Sequence, residues 1–402
     1  MLEKKGLIVN SDFWFLCLIT LLYISFYLPM GSTIPTLLLL AYYFIQTRFH
    51  LSFKYSIYVG YTLTFVAFCY LSCLWATNIS YTLQYSEHIL KSIFGMLVTY
   101  VVLYKRKDRV DIMLKAMMWG GYIVMFYSVY SYGISGIIDI LSESRRITNE
   151  FINANTLAMS LAYTAVIHVY YAVKNKKWTV WHLLLIPALA MLAASGSRKG
   201  IIVLTVGVIG IYVLNEYKKP NHKYLFLKIL VIPIIGIVGL YCLLQIPMFS
   251  FLNMRIGNMI RSFMGATDVD QSLLSRTNFI EVGWNIFLKH PILGVGINNA
   301  KLYNYQEVYL HNNFVEMLAN GGIVGFLLYY LLYIYLFWQC FRKRKQIRLI
   351  EHMGLCFIIL FVMTINHWAY VAYRNSVEYY LLLLITLGIQ GTPDGIIRKN
   401  IV

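Results

Sequence analysis

The chain has 402 residues, of which 59% are hydrophobic and only 13% are charged, and its formal net charge is +17. A soluble protein typically has about 25% charged residues, so this chain lacks the polar surface that a water-facing globule requires. Its basic residues stand in short clusters between apolar runs, as in the loops of membrane proteins, which argues against a nucleic-acid partner. The composition therefore predicts an all-α, polytopic protein embedded in a lipid bilayer.

Twelve apolar segments are candidates for membrane-spanning helices, each of which needs about 20 residues to cross a bilayer. They are 13–30, 33–47, 55–75, 88–104, 112–134, 154–173, 179–195, 200–215, 225–245, 320–341, 353–371 and 377–391. The seventh and eighth form a predicted helical hairpin, because only a short turn separates them. The first is predicted to be a helix and not a signal peptide, since it lacks a small-residue cleavage site. Residues 1–402 are thus interpreted as one integral membrane domain.

The distribution of Lys and Arg predicts the orientation of these segments. With the N-terminus in the cytoplasm, most of the 34 Lys and Arg residues fall on the cytoplasmic side, as the positive-inside rule requires. Both termini are then cytoplasmic. A long segment, residues 246–319, becomes one large external loop that is expected to have its own structure, and residues 135–153 form a smaller external loop. Within the large loop, residues 279–288 are predicted to form an amphipathic helix that ends at His290-Pro291, before a Gly294-Val295-Gly296 turn.

Several classes of chemistry have no support in the sequence. The six cysteines lie in or beside apolar runs and predict neither a disulfide framework nor a metal site. P-loop, GxGxxG, HExxH and paired-carboxylate motifs are absent, which argues against a nucleotide-driven pump and a membrane metalloprotease. We expect no cofactor and no catalytic metal.

Three external residues are the main candidates for a site, because charge outside the membrane is scarce. Arg198 lies in the tight turn Ser195 to Lys199, where it is either a snorkelling residue at a helix end or a phosphate ligand. Arg276 lies in the large loop, as a solvated charge or as a second guanidinium for a pyrophosphate. His311 stands where that loop enters an apolar helix, and its ordinary pKa near 6.5 suits a general base.

Further residues are candidates for supporting roles. Asn312 is a predicted N-cap, and Glu316 in the following turn could orient His311. Gly321, Gly322 and Gly325 would allow another helix to approach closely. Lys199, next to Arg198, is also a candidate for a supporting role, as are Arg145 and Arg146. Weaker external candidates, for which a structural role is the simpler interpretation, are Arg145, Arg146, Asn153, Asn155, Arg255, Arg261, Glu281, Lys289 and His290.

Three motifs together resemble the O-antigen ligase and O-antigen polymerase superfamily of bacterial envelope proteins. They are the pattern His-Asn-x-x-x-Glu-x-Leu-x-x-x-Gly-x-x-Gly from His311 to Gly325, the Pro-x-x-Gly-x-Gly core at Pro291 to Gly296, and the Gly-Ser-Arg-Lys turn at Gly196 to Lys199. The resemblance covers residues 153–340 by motif and the whole chain by its number of apolar segments. Ala154 departs from the Asn-Pro-Asn of typical members, which weakens the assignment of that helix entry.

This resemblance implies metal-independent glycosyl transfer on the outer side of the bacterial cytoplasmic (inner) membrane. The donor would be a glycan on undecaprenyl pyrophosphate. Arg198 and Arg276 would bind the pyrophosphate, and His311 would take the proton of the acceptor hydroxyl. Direct displacement would invert the anomeric configuration of the donor.

The family's shared residues leave the acceptor open. A polymerase extends O-antigen or capsule repeat units on the lipid carrier, whereas a ligase transfers the finished glycan to lipid A-core in lipopolysaccharide biosynthesis. The Gly196 to Gly200 turn and the Asn153 to Asn155 helix entry favour a polymerase, whose expected partners include a chain-length regulator and the flippase of the same pathway. A lipid-linked oligosaccharide transporter and a structural protein of envelope assembly are the alternatives, but the spans contain few of the midplane charges that a transporter requires.

Overall fold

The computed structural model describes residues 11–28, 31–50, 54–142, 153–177, 179–219, 224–245, 250–264, 271–348, 350 and 352–390. The regular secondary structure of this part of the chain is entirely helical. Its α-helices are α1 (Ser11–Ile24), α2 (Thr33–Gln46), α3 (Ile57–Leu71), α4 (Ile79–Leu103), α5 (Arg109–Ser142), α6 (Ala154–Asn175), α7 (Leu185–Ala194), α8 (Arg198–Lys218), α9 (Leu225–Leu244), α10 (Ser250–Phe263), α11 (Gln271–Lys289), α12 (Asn313–Arg342), α13 (Met353–Asn366) and α14 (Ser376–Gln390). Short 3₁₀ helices include Ala300–Tyr303 and Ala372–Arg374.

Each of the twelve predicted apolar segments contains one α-helix, and α10 and α11 lie in the predicted large loop. Within the described residues, six helices are long and apolar enough to span a membrane, namely α3 with its 3₁₀ extension, α4, α5, α6, α8 and α12. Five shorter apolar helices accompany them. The chain is therefore an all-helical integral membrane protein with six candidate spans. The predicted number of twelve crossings, the sidedness of the termini and the external position of the large loop stay predictions.

Several helix boundaries differ from the predicted segments, among them the start of α11 at Gln271 and not at residue 279. α4 begins at Ile79, well before residue 88, since the Asn78 side chain accepts a hydrogen bond from the Tyr81 amide and caps the helix. α5 continues to Ser142, across a kink at Gly133, so the predicted 135–153 loop begins as helix. α12 begins at Asn313, directly after its predicted N-cap Asn312, although the predicted apolar segment begins only at residue 320.

α6 contacts α5, α7 and α8, and α13 contacts both α8 and α14. α14 is almost wholly buried from Val377 to Ile389, so it forms the centre of the bundle. α12 packs between α3 and α11. This arrangement gathers the first turns of α6, α8, α12 and α14 around one region of the molecule, where the candidate residues lie.

Candidate functional site

His311 packs against two aromatic rings immediately before α12. Its ring centroid is 4.3 Å from that of Tyr309 and 6.0 Å from that of Phe279, with the Phe279 plane only 20° from parallel. The backbone at His311 has φ of 59°, a left-handed conformation that few residues other than glycine adopt. Its Nδ1 atom is buried and has no hydrogen-bond partner among the described residues. The imidazole is therefore held by packing and keeps a nitrogen available for another partner.

The surroundings of His311 are electropositive. The pKa of His311 is lowered to about 4, chiefly by burial and in addition by the positive charges of Arg276 and Lys199. Arg276 and Phe279 are three residues apart on α11, so one face of that helix carries both the stacking ring and the guanidinium. The structure thus brings Arg276 and Lys199 into electrostatic range of His311, and the imidazole is neutral at neutral pH.

Arg198 and Lys199 form the first turn of α8, and both are buried, at 7% and 6% exposure. An Arg198 guanidinium nitrogen, Nη1, lies 3.4 Å from the carbonyl oxygen of Arg255 on α10 and donates to it. Ser197 donates a hydrogen bond of 3.0 Å to Asn155 Oδ1, which ties this turn to the start of α6. At Gly200 a Cβ atom would lie 2.9 Å from that of Ala158, so only glycine allows this close approach of α8 to α6. The predicted Gly-Ser-Arg-Lys motif is thus a tightly packed cationic helix start.

The two residues predicted to support His311 act on its backbone. Asn312 is the N-cap of α12, as predicted, since its Oδ1 accepts from the amides of Phe314 and Val315 at 3.0 and 3.1 Å. Glu316 accepts from the Leu310 amide at 2.6 Å and from Asn320 Nδ2 at 3.0 Å. Its carboxylate therefore fixes the loop that carries His311, whereas its predicted role was to orient the imidazole itself.

The Pro291 to Gly296 segment packs against a break in α12. Gly322 has φ of 60°, and a Cβ there would lie 2.3 Å from the Ile292 carbonyl group. The Ile323 amide donates to the Pro291 carbonyl at 2.8 Å, and the Val295 amide donates to the Ala319 carbonyl at 3.0 Å. Gly322 therefore admits this loop, whereas Gly321 and Gly325 face Phe68 of α3, a helix contact of the kind predicted.

Arg374 is a neighbouring cation that was not among the predicted site residues. Its guanidinium carbon lies 5.2 Å from the Tyr309 ring centroid and 4.3 Å from that of Tyr85, and Nε donates to the Tyr85 hydroxyl at 2.8 Å. Although burial alone would lower the pKa of Arg374, its neighbours Tyr373, Tyr85 and Glu316 raise it overall. The sequence did contain a signal for Arg374. This residue lies between the last two apolar segments, in a loop that the predicted orientation places on the external side, where charged residues are scarce.

A cavity of about 180 Å³ opens beside this cluster. Its walls include Lys199 and Tyr309, the Asn153 and Asn155 that open α6, and Glu378 of α14. Glu378 was also absent from the sequence analysis, because a carboxylate in the first turn of an apolar helix is usually explained by the helix dipole. The cavity therefore joins three helix starts that are far apart in the sequence.

The remaining candidates are not part of this cluster. Glu281, Lys289 and His290 are exposed toward the far end of α11. Arg145 and Arg146 lie outside the described residues. Arg255 contributes its backbone carbonyl to Arg198, and Arg261 is an exposed residue of α10.

A comparison with known families finds a match to part of the chain. The family model described as O-antigen ligase matches residues 183–330, a range that includes Arg198, Arg276, His311 and Glu316 but ends before Arg374 and Glu378. Among curated proteins, no significant match is found. Members of the matched family are glycosyltransferase-like enzymes with lipid-linked glycan substrates. The predicted resemblance is therefore confirmed over residues 183–330, the part of the chain that the O-antigen ligase family model matches.

Proposed function

We propose that the protein is a glycosyltransferase that polymerises undecaprenyl-pyrophosphate-linked repeat units into a surface polysaccharide, O-antigen or capsule. The reaction takes place on the outer side of the bacterial cytoplasmic membrane. The observation that carries the proposal is the proximity of His311, a neutral imidazole, to the charges of Arg276 and Lys199. A base beside a cluster of cations is what transfer from a pyrophosphate requires.

The electrostatics of this cluster favour an anionic ligand. Arg198 and Lys199 occupy the first turn of α8, where the helix dipole already contributes a partial positive charge. Buried cations at a helix N-terminus repel that dipole, and a bound anion removes the repulsion. A pyrophosphate in this position would be stabilised by Arg198, Lys199 and Arg276 together. Pyrophosphate is a good leaving group only when its negative charge is neutralised, and these three side chains take the place of a metal ion in doing so.

The chemical step then follows from the positions of these residues. The acceptor hydroxyl oxygen attacks the anomeric carbon, and its proton passes to the neutral imidazole of His311. The bond between the anomeric carbon and the pyrophosphate oxygen breaks, and its electron pair remains on the pyrophosphate. A positioned base contributes about 10²–10⁴-fold to such a step. One direct displacement inverts the configuration of the donor sugar.

A ligase is the second candidate, because the matched family model is described as O-antigen ligase. The two activities share the donor and the chemistry and differ in the acceptor. For a polymerase the acceptor is another lipid-linked repeat unit, and for a ligase it is lipid A-core.

Deletion of the gene in its host, followed by analysis of the surface glycan on a gel, distinguishes the candidates. A polymerase deletion leaves at most a single repeat unit on its final acceptor, whereas a ligase deletion leaves bare lipid A-core and long chains on the lipid carrier. Complementation with His311→Ala, Arg198→Ala or Arg276→Ala at matched expression should fail to restore long chains. Full complementation by these variants would contradict the assigned site, and unaltered glycan in the deletion strain would contradict the function.

A further inference from the structure

The cavity beside the cationic cluster has the chemical lining of a sugar-binding site. Its walls combine the amide side chains of Asn153, Asn155 and Asn375 with the rings of Tyr309 and Tyr370. Amides hydrogen-bond hydroxyl groups, and aromatic faces pack against the apolar faces of a sugar ring. The lining also includes one cation, Lys199, and one carboxylate, Glu378.

Glu378 is held in place by a network that satisfies one of its oxygens. His367 Nε2 lies 2.8 Å from Glu378 Oε1, and the Tyr333 hydroxyl donates to the same oxygen. Both Glu378 and His367 are buried, at 4% and 0% exposure. The described residues offer no hydrogen-bond partner to the other oxygen, Oε2. A fixed carboxylate at the wall of a cavity with an acceptor oxygen to spare is suited to a hydroxyl-bearing ligand.

The side chain of Asn313, at the start of α12, sets the direction in which hydrogen bonds are donated along this network. Asn313 Oδ1 accepts from the amides of Ala372 and Tyr373, at 2.8 and 3.1 Å, so its Nδ2 is the atom that donates to the Tyr330 hydroxyl oxygen at 2.8 Å. The Tyr330 proton is then directed to His367 Nδ1, at 3.1 Å, and His367 Nε2 donates to Glu378. In this arrangement His367 accepts a hydrogen bond at Nδ1 and donates one at Nε2. It also joins Glu378 to Asn313, two residues after His311.

Lys199 supplies the opposite charge on the cavity wall. Its ammonium group lies 5.3 Å from the centroid of the Tyr370 ring, in the first turn of α8. Tyr309, on the wall as well, packs against His311. A ligand in the cavity would therefore contact a carboxylate and amide groups on one side, and on the other side it would contact cations near the imidazole.

We propose that this cavity binds the pyranose ring to which the pyrophosphate is attached, with Glu378 accepting hydrogen bonds from its hydroxyl groups. The inference rests on the proposed function and extends it to the sugar subsite. The pyrophosphate then lies toward Lys199 and Arg198, and the anomeric carbon lies between them and His311. Glu378 is a specificity residue in this arrangement, because it contacts the ring and not the bond that breaks.

Two ligands test the inference with the full-length protein in lipid nanodiscs. One is undecaprenyl pyrophosphate, and the other is the lipid-linked repeat unit purified from a host that lacks this gene. The wild-type protein should bind the repeat unit more tightly. Glu378→Gln preserves the shape of the side chain and should weaken binding of the repeat unit about tenfold or more, since a hydrogen bond to a charged group is lost, while undecaprenyl pyrophosphate binds as before.

Matched variants separate the possible outcomes. Glu281→Gln, an exposed change on α11, should alter neither affinity. Thr156→Val removes a hydroxyl of the cavity wall with little change of shape, and it should weaken binding of the repeat unit alone even if Glu378→Gln does not fold. Equal wild-type affinity for the two ligands, or an equal loss for both in the variants, would overturn the sugar subsite. If the wild-type protein binds neither ligand, the proposed function itself fails.

Discussion

The ring of Tyr309 packs against the imidazole of His311, with 4.3 Å between their centroids and 49° between their planes. The guanidinium group of Arg374 also contacts Tyr309, at 5.2 Å from the ring centroid. Tyr309 thus connects the candidate base to a cation that lies 63 positions farther along the chain than the base (374 − 311).

Tyr309 should act as a positioning residue for His311. Tyr309→Leu removes the flat surface against which the imidazole rests, so we expect kcat to fall by about 10²-fold, as is typical of a misplaced catalytic group. Tyr309→Phe keeps the ring and should retain most of the activity. Single-turnover rates with saturating donor measure the effect. Equal losses in both variants would show that the hydroxyl, and not the ring, is what matters.

The low pKa of His311 predicts an acid limb in the pH dependence of kcat/KM. With a pKa of about 4, the imidazole is neutral and able to accept a proton at pH 6 to 8, and it becomes charged only at lower pH. Activity should therefore be flat near neutral pH and should fall as the pH decreases through that value. Arg276→Gln removes one of the charges that lower the pKa, so the acid limb of its residual activity should move to higher pH. Superimposable acid limbs would contradict a direct electrostatic effect of Arg276.

Arg276 should be required for use of the pyrophosphate donor. Loss of one charge-stabilising donor typically lowers kcat by about 10²–10³-fold, and we expect this for Arg276→Ala measured with purified donor. Arg344→Gln is the control, because Arg344 is an exposed cation beyond the opposite end of α12. EDTA should leave the wild-type rate unchanged if side chains alone stabilise the leaving group. A rate that collapses in EDTA and returns with a divalent ion would refute the metal-independent mechanism.

The backbone break in α12 should tolerate only glycine. In Gly322→Ala the new methyl group would meet the Ile292 backbone at 2.3 Å, at a φ of 60°, so the Pro291 to Gly296 loop must separate from α12. We expect a loss of about 2 kcal/mol or more in the free energy of unfolding. Gly236→Ala is the control, since it lies within α9 and a Cβ there meets nothing within 4 Å. Thermal unfolding in detergent measures both, and equal midpoints would contradict the proposed role of Gly322.

The sequence by itself determined the features that depend on neighbouring residues. Long apolar runs predicted the helices because a bilayer excludes unpaired backbone polar groups, and Asn312 was predicted as an N-cap from the residues that follow it. The amphipathic helix around Phe279 and its end at His290 were likewise predicted from local pattern. Arg198, Arg276 and His311 were identified as candidates because external charge is scarce in such a chain.

Only the tertiary structure decided which of these residues meet. Arg276 and Lys199 act on His311, whereas Arg198 contacts the backbone of Arg255, and no local pattern distinguishes these two fates. Arg374, in the 3₁₀ turn before α14, and Glu378, in the first turn of α14, lie near the other site residues. Their positions depend on how α14 packs among its neighbours, because this packing sets the distances between helix ends. Hydropathy and residue spacing do not predict such distances, because the distances depend on how the side chains of helices far apart in the sequence pack together.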